Sequence, residues 1–115
     1  MHELALAREI ARIAEEELAR AGAAGLRAVH VRVGALSCAS AEALRFAFAA
    51  TLPEVRLEIE PEAGAAHCAD CAQRVPIGVR GEPCPRCGGF NLRVVAGESL
   101  RVTGLELQEE PGGVG

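Results

Sequence analysis

The stretch that decides the fold is CADCAQRVPIGVRGEPCPRCG, which runs from Cys68 to Gly88 and contains two Cys-x-x-Cys pairs. Cys68 and Cys71 form the first pair, and Cys84 and Cys87 form the second after twelve intervening residues. A Cys-x-x-Cys turn points both sulfurs at one centre, so two such turns supply the four thiolates of a tetrahedral Zn²⁺ site. Because four thiolates leave no position for water or substrate, the pattern predicts a structural zinc site.

The residues around the four cysteines favour zinc over the other chemistries that use this motif. A redox dithiol needs one Cys-x-x-Cys pair, and here there are two. A rubredoxin-like iron site is surrounded by aromatic residues, whereas this chain has three Phe and neither Trp nor Tyr. His67 adjoins Cys68 and is an alternative ligand or a donor to sulfur, but closed zinc sites stop at four ligands.

The segment that carries the cysteines, residues 65–97, is poor in large apolar residues and rich in Pro and Gly. It predicts a zinc-ribbon hairpin, with residues 73–77 as the rising strand and 78–83 as the return strand. Such a segment cannot build its own hydrophobic core. We expect metal binding to fold it, because small zinc peptides gain roughly 10–16 kcal/mol from their metal at neutral pH.

Outside this segment, the hydrophobic pattern predicts two helices and three strands. Apolar residues recur at helical spacing over residues 3–21 and alternate at strand spacing over 26–33 and over 55–60, where the second strand is expected to end before Pro61. Ser40 lies at the N-cap of a second helix, which Pro53 ends. Residues 100–107 alternate again, and we expect them to return as an edge strand of the first sheet.

The expected fold is therefore α+β, with a small mixed sheet packed by two helices and an inserted zinc-ribbon domain. Residues 1–62 plus 99–108 are assigned to the first domain and residues 63–98 to the zinc ribbon. The Gly-rich segment 109–115 is predicted to be a disordered tail.

Composition and charge exclude several functions. The chain has 115 residues, too few for a multidomain enzyme, and all 12 basic residues are Arg, which removes Schiff-base lysine chemistry. Its 16 acidic residues give a net charge of −4, which disfavours a nucleic-acid partner. No run approaches the roughly 18 apolar residues of a membrane span, and paired thiols suit a reducing compartment. We expect a cytoplasmic protein that is neither an enzyme nor membrane-bound.

The first residues, Met1-His2-Glu3, carry a second set of metal donors. The α-amine of Met1, the amide nitrogen of His2 and the His2 imidazole can close fused five- and six-membered chelate rings on one metal. A planar, nitrogen-rich set of this kind suits Ni²⁺ or Cu²⁺. Cys38, the fifth cysteine, has no evident base near it and is predicted to be a turn or buried residue rather than a nucleophile.

Four features occur in a fixed order along nearly the whole chain. They are MHELALA (1–7), GALS (34–37) with ALRFAF (43–48), the two cysteine pairs, and GESLRV (97–102). Together they resemble the HypA/HybF family of nickel metallochaperones. The resemblance implies an α/β nickel-binding domain with an inserted zinc ribbon, serving nickel insertion into [NiFe]-hydrogenase and, in some organisms, urease.

Carried over position by position, the resemblance implies that His2 is the essential nickel ligand. The Met1 amine and the backbone nitrogens of His2 and Glu3 would complete the set, and the Glu3 side chain would tune or assist it. Ni²⁺ would be transient cargo, while Zn²⁺ on the four paired cysteines would be structural. Members of the family are similar in working with a HypB-type GTPase and the [NiFe]-hydrogenase large-subunit precursor, so these are the expected partners.

One stretch departs from the family pattern. After the Ser of the turn, the family commonly has Gly-Val-acidic-Pro, whereas this chain has Cys38-Ala39-Ser40-Ala41. The change either removes a carboxylate that would assist the nickel site or exchanges one helix cap for another, and the N-cap preference of Ser favours the cap. The alternative function for the whole chain is a zinc-ribbon adaptor that binds a partner without nickel.

Overall fold

The computed structural model describes residues 3–37 and 39–108. Met1, His2, Cys38 and the predicted tail at 109–115 lie outside this described part. The helices are α1 (Glu3–Ala21) and α2 (Ala41–Thr51), and the strands are β1 (Gly25–Gly34), β2 (Arg56–Glu62), β3 (Ala65–Cys68), β4 (Gln73–Pro76), β5 (Leu92–Ala96) and β6 (Leu100–Gln108). The strands form two three-stranded sheets, of order β2-β1-β6 and β4-β3-β5. The predicted α+β class is confirmed.

Helix α1 has the predicted bounds and packs against α2. Its fully buried stripe is Ala7, Ile10, Ala11 and Ala14, so three of the four buried side chains are single methyl groups. Other apolar residues at this helical spacing are less buried: Leu6, Ile13 and Leu18 are half-buried and Ala21 is exposed. The apolar period was therefore predicted correctly, but the buried face is displaced towards the small residues.

The first sheet has the predicted strands in the predicted order along the chain. Val29, Val31 and Val33 of β1 are buried, as their alternation indicated. Strand β6 pairs with β1 as an edge strand, so the predicted return of the chain to this sheet is confirmed. The predicted end of β2 before Pro61 is wrong, because β2 continues to Glu62. As an edge strand, β2 tolerates a proline that has no N–H to donate.

In the second sheet, β3 pairs antiparallel with both β4 and β5. The return strand predicted at residues 78–83 is wrong. The Glu82 carboxylate accepts hydrogen bonds from the backbone N–H groups of Gly78 and Val79, which bends these residues into a loop. The sheet partner of β4 is instead β3, which precedes the first cysteine turn, and neither β3 nor β5 was predicted.

A small hydrophobic core lies beneath the second sheet. It contains Leu36, Ala66, Val75 and Ile77 together with the buried cysteines Cys68 and Cys84. Leu36 comes from the turn after β1, outside the 63–98 segment, and its backbone N–H donates to Gly97 O at 2.8 Å. The segment 65–97 was expected not to build its own hydrophobic core. That expectation is wrong in part, because the segment supplies every residue of this small core except Leu36.

The described residues divide into two compact units. The first contains residues 3–31, 39–59 and 102–108, and the second contains residues 32–37 and 60–101. Both units are discontinuous in sequence. The domain assignment given above stays a proposal, because a domain is defined by its capacity to fold alone.

Candidate metal centre

The four paired cysteines meet at one place in the second unit. One sulfur from each of Cys68, Cys71, Cys84 and Cys87 lies within 4.8 Å of the others. Cys68 Sγ lies 3.6 Å from Cys87 Sγ, and Cys71 Sγ lies 3.8 Å from Cys84 Sγ. Each of these contacts joins one cysteine of the first pair to one of the second. The two turns therefore converge on a single centre, as the sequence predicted.

Two similar turns of the backbone produce this convergence. The residue after each second cysteine has a positive φ, 54° at Ala72 and 76° at Gly88. Glycine takes a positive φ readily at Gly88, whereas Ala72 adopts a conformation that L-residues take only at a cost of about 1–2 kcal/mol. In the second turn, the Gly88 N–H donates to Cys84 O at 2.8 Å and the Cys84 N–H donates to Gly89 O at 2.7 Å.

Hydrogen bonds and burial separate the acidities of the thiols. The backbone N–H groups of Cys87 and Arg86 lower the pKa of Cys84 to about 7, and the Arg86 amide nitrogen lies 3.4 Å from Cys84 Sγ. Burial, followed by the hydrogen bond with the neighbouring thiol of Cys68, raises the pKa of Cys71 to about 12. Four thiolates at this spacing therefore need a cation to compensate their charge, and metal binding releases protons.

The geometry of the cluster fits a tetrahedral metal ion. A Zn–S bond of about 2.3 Å places the sulfurs of a regular tetrahedron about 3.8 Å apart. The two sulfur–sulfur contacts given above lie within a few tenths of an ångström of this value. Cys68 and Cys84 are buried and Cys87 is exposed, so the Cys87 side of the cluster lies at the surface. Four soft sulfur donors at this spacing form a closed site for an ion such as Zn²⁺.

His67 is not part of the cluster. It precedes Cys68 on β3, and successive strand residues point to opposite faces of a sheet. Its position in the register lies between Arg74 of β4 and Arg93 of β5, and it does not belong to the group of possible metal ligands within the described part. The sulfur-only ligand set favoured from the sequence therefore agrees with the geometry.

Of the three residues expected to bind nickel, the structure describes only Glu3. Glu3 is the first residue of α1, and its Oε2 accepts a hydrogen bond from the Ser40 backbone N–H at 3.1 Å. Ser40 is the N-cap of α2, with φ −85° and ψ 122°, and its Oγ accepts the Ala43 N–H at 3.2 Å. The cap interpretation of Ser40 is confirmed. The starts of the two helices are thus joined by the hydrogen bond from the Ser40 backbone N–H to the Glu3 carboxylate, while the Ser40 hydroxyl caps α2 itself.

A polar cluster that the sequence did not indicate lies in the first unit. His30 Nε2 and Glu106 Oε2 are 2.7 Å apart, and Arg56 Nη2 donates to both Glu106 oxygens at 3.2 Å. The hydrogen bond from His30 and the charge of Arg56 lower the pKa of Glu106. One imidazole and one carboxylate are too few for a metal site, and we interpret the cluster as a link between neighbouring strands.

Among residues 3–37 and 39–108, neither helix is both long enough and apolar enough to cross a membrane.

Comparison with known proteins gives a match along nearly the whole chain. A family model described as "Hydrogenase/urease nickel incorporation, metallochaperone, hypA" matches residues 1–107. The hydrogenase maturation factor HypA of Rhodopseudomonas palustris (strain BisB5) is 44% identical over 112 residues, covering 93% of this chain and 99% of that protein. The protein of the same name from Aeromonas hydrophila subsp. hydrophila is 35% identical over 112 residues, with the same two coverages.

Two solved structures resemble the fold. The solution structure of the Ni metallochaperone HypA from Helicobacter pylori has a TM-score of 0.67 and 22% identity, covering 96% of this chain and 100% of that one. A second solution structure, of HypA protein, has a TM-score of 0.69 and 23% identity, covering 96% and 98%. At these identities the likeness concerns the fold alone.

Proposed function

This chain belongs to the HypA family of nickel-incorporation metallochaperones for hydrogenase maturation, and we propose that it carries Ni²⁺ at its N-terminus and holds structural Zn²⁺ on Cys68, Cys71, Cys84 and Cys87. The observation that carries the proposal is the closure of the four-sulfur cluster around one centre. Because a closed site offers no place for exchangeable cargo, the carried ion must bind elsewhere. The nitrogen donors of Met1, His2 and Glu3 are the set that the sequence provides.

In the proposed nickel site, His2 is the essential ligand, and the Met1 amine and backbone nitrogens of His2 and Glu3 complete the set. The Glu3 carboxylate acts indirectly, since the hydrogen bond from the Ser40 N–H engages it at the start of α1. Glu3 directly follows the proposed ligand His2. Fixing the Glu3 side chain therefore restricts the conformations of the donors that precede it and lowers the entropy lost on binding metal.

We further propose that the protein works in the cytoplasm, where a reducing environment keeps the four thiols available for metal. A HypB-type GTPase and the [NiFe]-hydrogenase large-subunit precursor are the proposed partners, and urease is the proposed second client. A carrier must release its ion. Protonation of the amine and imidazole below about pH 6.5 is expected to weaken nickel binding and assist that release.

The test is metal analysis of untagged protein before and after nickel addition, with a calorimetric nickel titration of the wild type and of His2→Ala. We expect one retained zinc and one exchangeable nickel in the wild type, and loss of the nickel alone in His2→Ala. His67→Ala is the matched control, because it removes an imidazole outside both donor sets. Equal nickel affinity in wild type and His2→Ala would refute the nickel site, and an absence of exchangeable nickel would favour the adaptor function.

Ser40 provides a separate test of how the nickel site is supported. Ser40→Ala removes the cap and is expected to cost about 1 kcal/mol of unfolding free energy, while Ser40→Asp keeps a capping oxygen and should cost little. Because Ser40 is proposed as a cap and not a ligand, the optical spectrum of bound Ni²⁺ should be the same in both variants. A spectrum that changes from planar to octahedral in Ser40→Asp would show that a carboxylate here enters the coordination sphere.

A further inference from the structure

Three residues form a row across the exposed face of the second sheet. In the antiparallel register, His67 of β3 lies opposite Arg74 of β4 on one side and Arg93 of β5 on the other. Directly opposed residues of antiparallel strands project to the same face of the sheet. Both arginines are exposed and His67 is half-buried. We call Arg74, His67 and Arg93 the basic row.

The basic row is not part of the small core or of the metal centre. The next position in the register joins Ala66, Val75 and Val94, and these residues pack into the core on the opposite face. Cys68 and its core neighbours lie on that opposite face as well. The three residues of the row are therefore not needed to fill the core or to bind the metal.

Arg74 and Arg93 of the row have no ion pair within the described residues. Three of the four arginines of the first sheet, by contrast, pair with glutamates. The contacts are Arg32–Glu60 at 3.0 Å, Arg56–Glu106 at 3.2 Å and Arg101–Glu62 at 3.8 Å. Two guanidinium groups on one sheet face thus keep their full hydrogen-bonding capacity for a partner.

We propose that the basic row is a docking surface for an acidic segment of a partner protein. Strands β4 and β5 flank β3, so Arg74 and Arg93 lie about 10 Å apart across two strand spacings. Each guanidinium can receive one carboxylate bidentately. A peptide in the polyproline II conformation has three residues per turn and advances about 3.1 Å per residue, so carboxylates three residues apart lie on one face at about this distance.

Charge favours a protein over a nucleic acid as the occupant. The net charge of −4 repels a polyanion at long range, and a row with two arginines neutralises few phosphates. A short acidic segment on a protein surface carries fewer charges and makes only the local contacts. This docking surface goes beyond the proposed function, since neither nickel nor its ligands take part in it.

The experiment titrates the zinc-loaded full chain with a labelled twelve-residue peptide that has Glu at every third position. We expect weak, salt-sensitive binding, with amide chemical-shift changes centred on residues 67, 74 and 93. A peptide with Gln in place of Glu is expected not to bind. Failure of the Glu peptide to bind, or shift changes confined to other residues, would overturn the proposal without affecting the nickel site.

Charge-reversal variants distinguish binding at the basic row from a general effect of the protein's net charge. The double variant Arg74→Glu/Arg93→Glu is expected to lose at least tenfold in peptide affinity, and Arg74→Gln/Arg93→Gln should lose most of it as well. The control is Arg27→Glu/Arg45→Glu, which changes the net charge equally at two exposed arginines without ion pairs in the described structure. Equal losses in both reversed variants would overturn the proposal, as would tighter binding of a twelve-nucleotide single-stranded DNA. Retained zinc in each variant confirms that the second unit is folded.

Discussion

Gly97→Ala is expected to destabilise the second unit far more than the same change at Gly81. Both glycines have a positive φ, 81° and 89°, which costs an alanine about 1–2 kcal/mol. A Cβ at Gly81 meets nothing within 4 Å, whereas one at Gly97 would lie 2.6 Å from Gly64 Cα and 2.7 Å from Ala63 O. These neighbours are backbone atoms that cannot rotate away, so the chain itself must move. Such overpacking costs typically about 1–3 kcal/mol.

The steric term alone should separate the two variants. The φ penalty and the loss of unfolded-chain entropy are common to both changes, so they cancel in the comparison. We therefore expect Gly97→Ala to be less stable than Gly81→Ala by about 1–3 kcal/mol.

Urea unfolding of the metal-loaded protein is the appropriate assay, followed by far-ultraviolet circular dichroism because the chain has neither Trp nor Tyr. The midpoint for Gly97→Ala should fall roughly 0.5–2 M below that for Gly81→Ala. Amide signals of β3 and β5, followed in the same titration, assign the transition to the second unit. Coincident midpoints would refute the argument that backbone crowding at Gly97 excludes a side chain.

Three further outcomes are expected. Phe48 is 1% exposed, whereas Phe46, two residues away, is 82% exposed. Phe48→Ala should therefore lower the free energy of unfolding by about 3–5 kcal/mol and Phe46→Ala by less than about 0.5 kcal/mol. Similar urea midpoints for the two variants would contradict this. His30 and Arg56 lower the pKa of Glu106 in the folded protein, so the ionised Glu106 carboxylate stabilises the fold. This stabilisation should be complete above the ordinary carboxyl pKa of 4.5 and should be lost as the pH falls through the lowered pKa of the folded state. Glu106→Gln should flatten the stability curve there, and an unchanged curve would count against the pairing. Removal of metal by a chelator should abolish the dispersed amide signals of β3 to β5 and leave those of α1 and α2, and their persistence without metal would show that the second unit folds unaided.

The metal centre was predictable from the sequence because its chemistry depends on spacing alone. A metal ion brings two Cys-x-x-Cys turns together whatever the structure of the segment between them. The four ligands, Cys68, Cys71, Cys84 and Cys87, could therefore be predicted without knowing the strands of the second sheet. The helices and the strands of the first sheet were predictable for a related reason, since Val29, Val31 and Val33 repeat a pattern several residues long.

Strands β3 and β5 of the second sheet could not be predicted in the same way. Strand β3 has four residues and β5 has five, too short for a pattern to exceed chance. The return strand at 78–83 was predicted from the hairpin expected of a zinc ribbon, but the Glu82 carboxylate accepts hydrogen bonds from the backbone N–H groups of Gly78 and Val79 that a strand would pair. The basic row could not be predicted either, because its three residues become neighbours only through the register of β3 with β4 and β5.

Leu36 and the metal are expected to contribute unequally to the free energy of folding of the second unit, and the larger contribution decides which of them controls folding. Leu36 is 3% exposed, and deleting such a side chain to Ala costs about 2–5 kcal/mol. A structural zinc ion contributes roughly 10–16 kcal/mol in small zinc peptides at neutral pH. We therefore expect loss of Leu36 to weaken the second unit without unfolding the metal-loaded protein, and loss of the metal to leave a core too small to hold the unit folded. The inserted segment thus contains all four of the paired cysteines, but one residue of its hydrophobic core, Leu36, lies outside it. Leu36 is in the turn that begins after β1, the central strand of the first sheet.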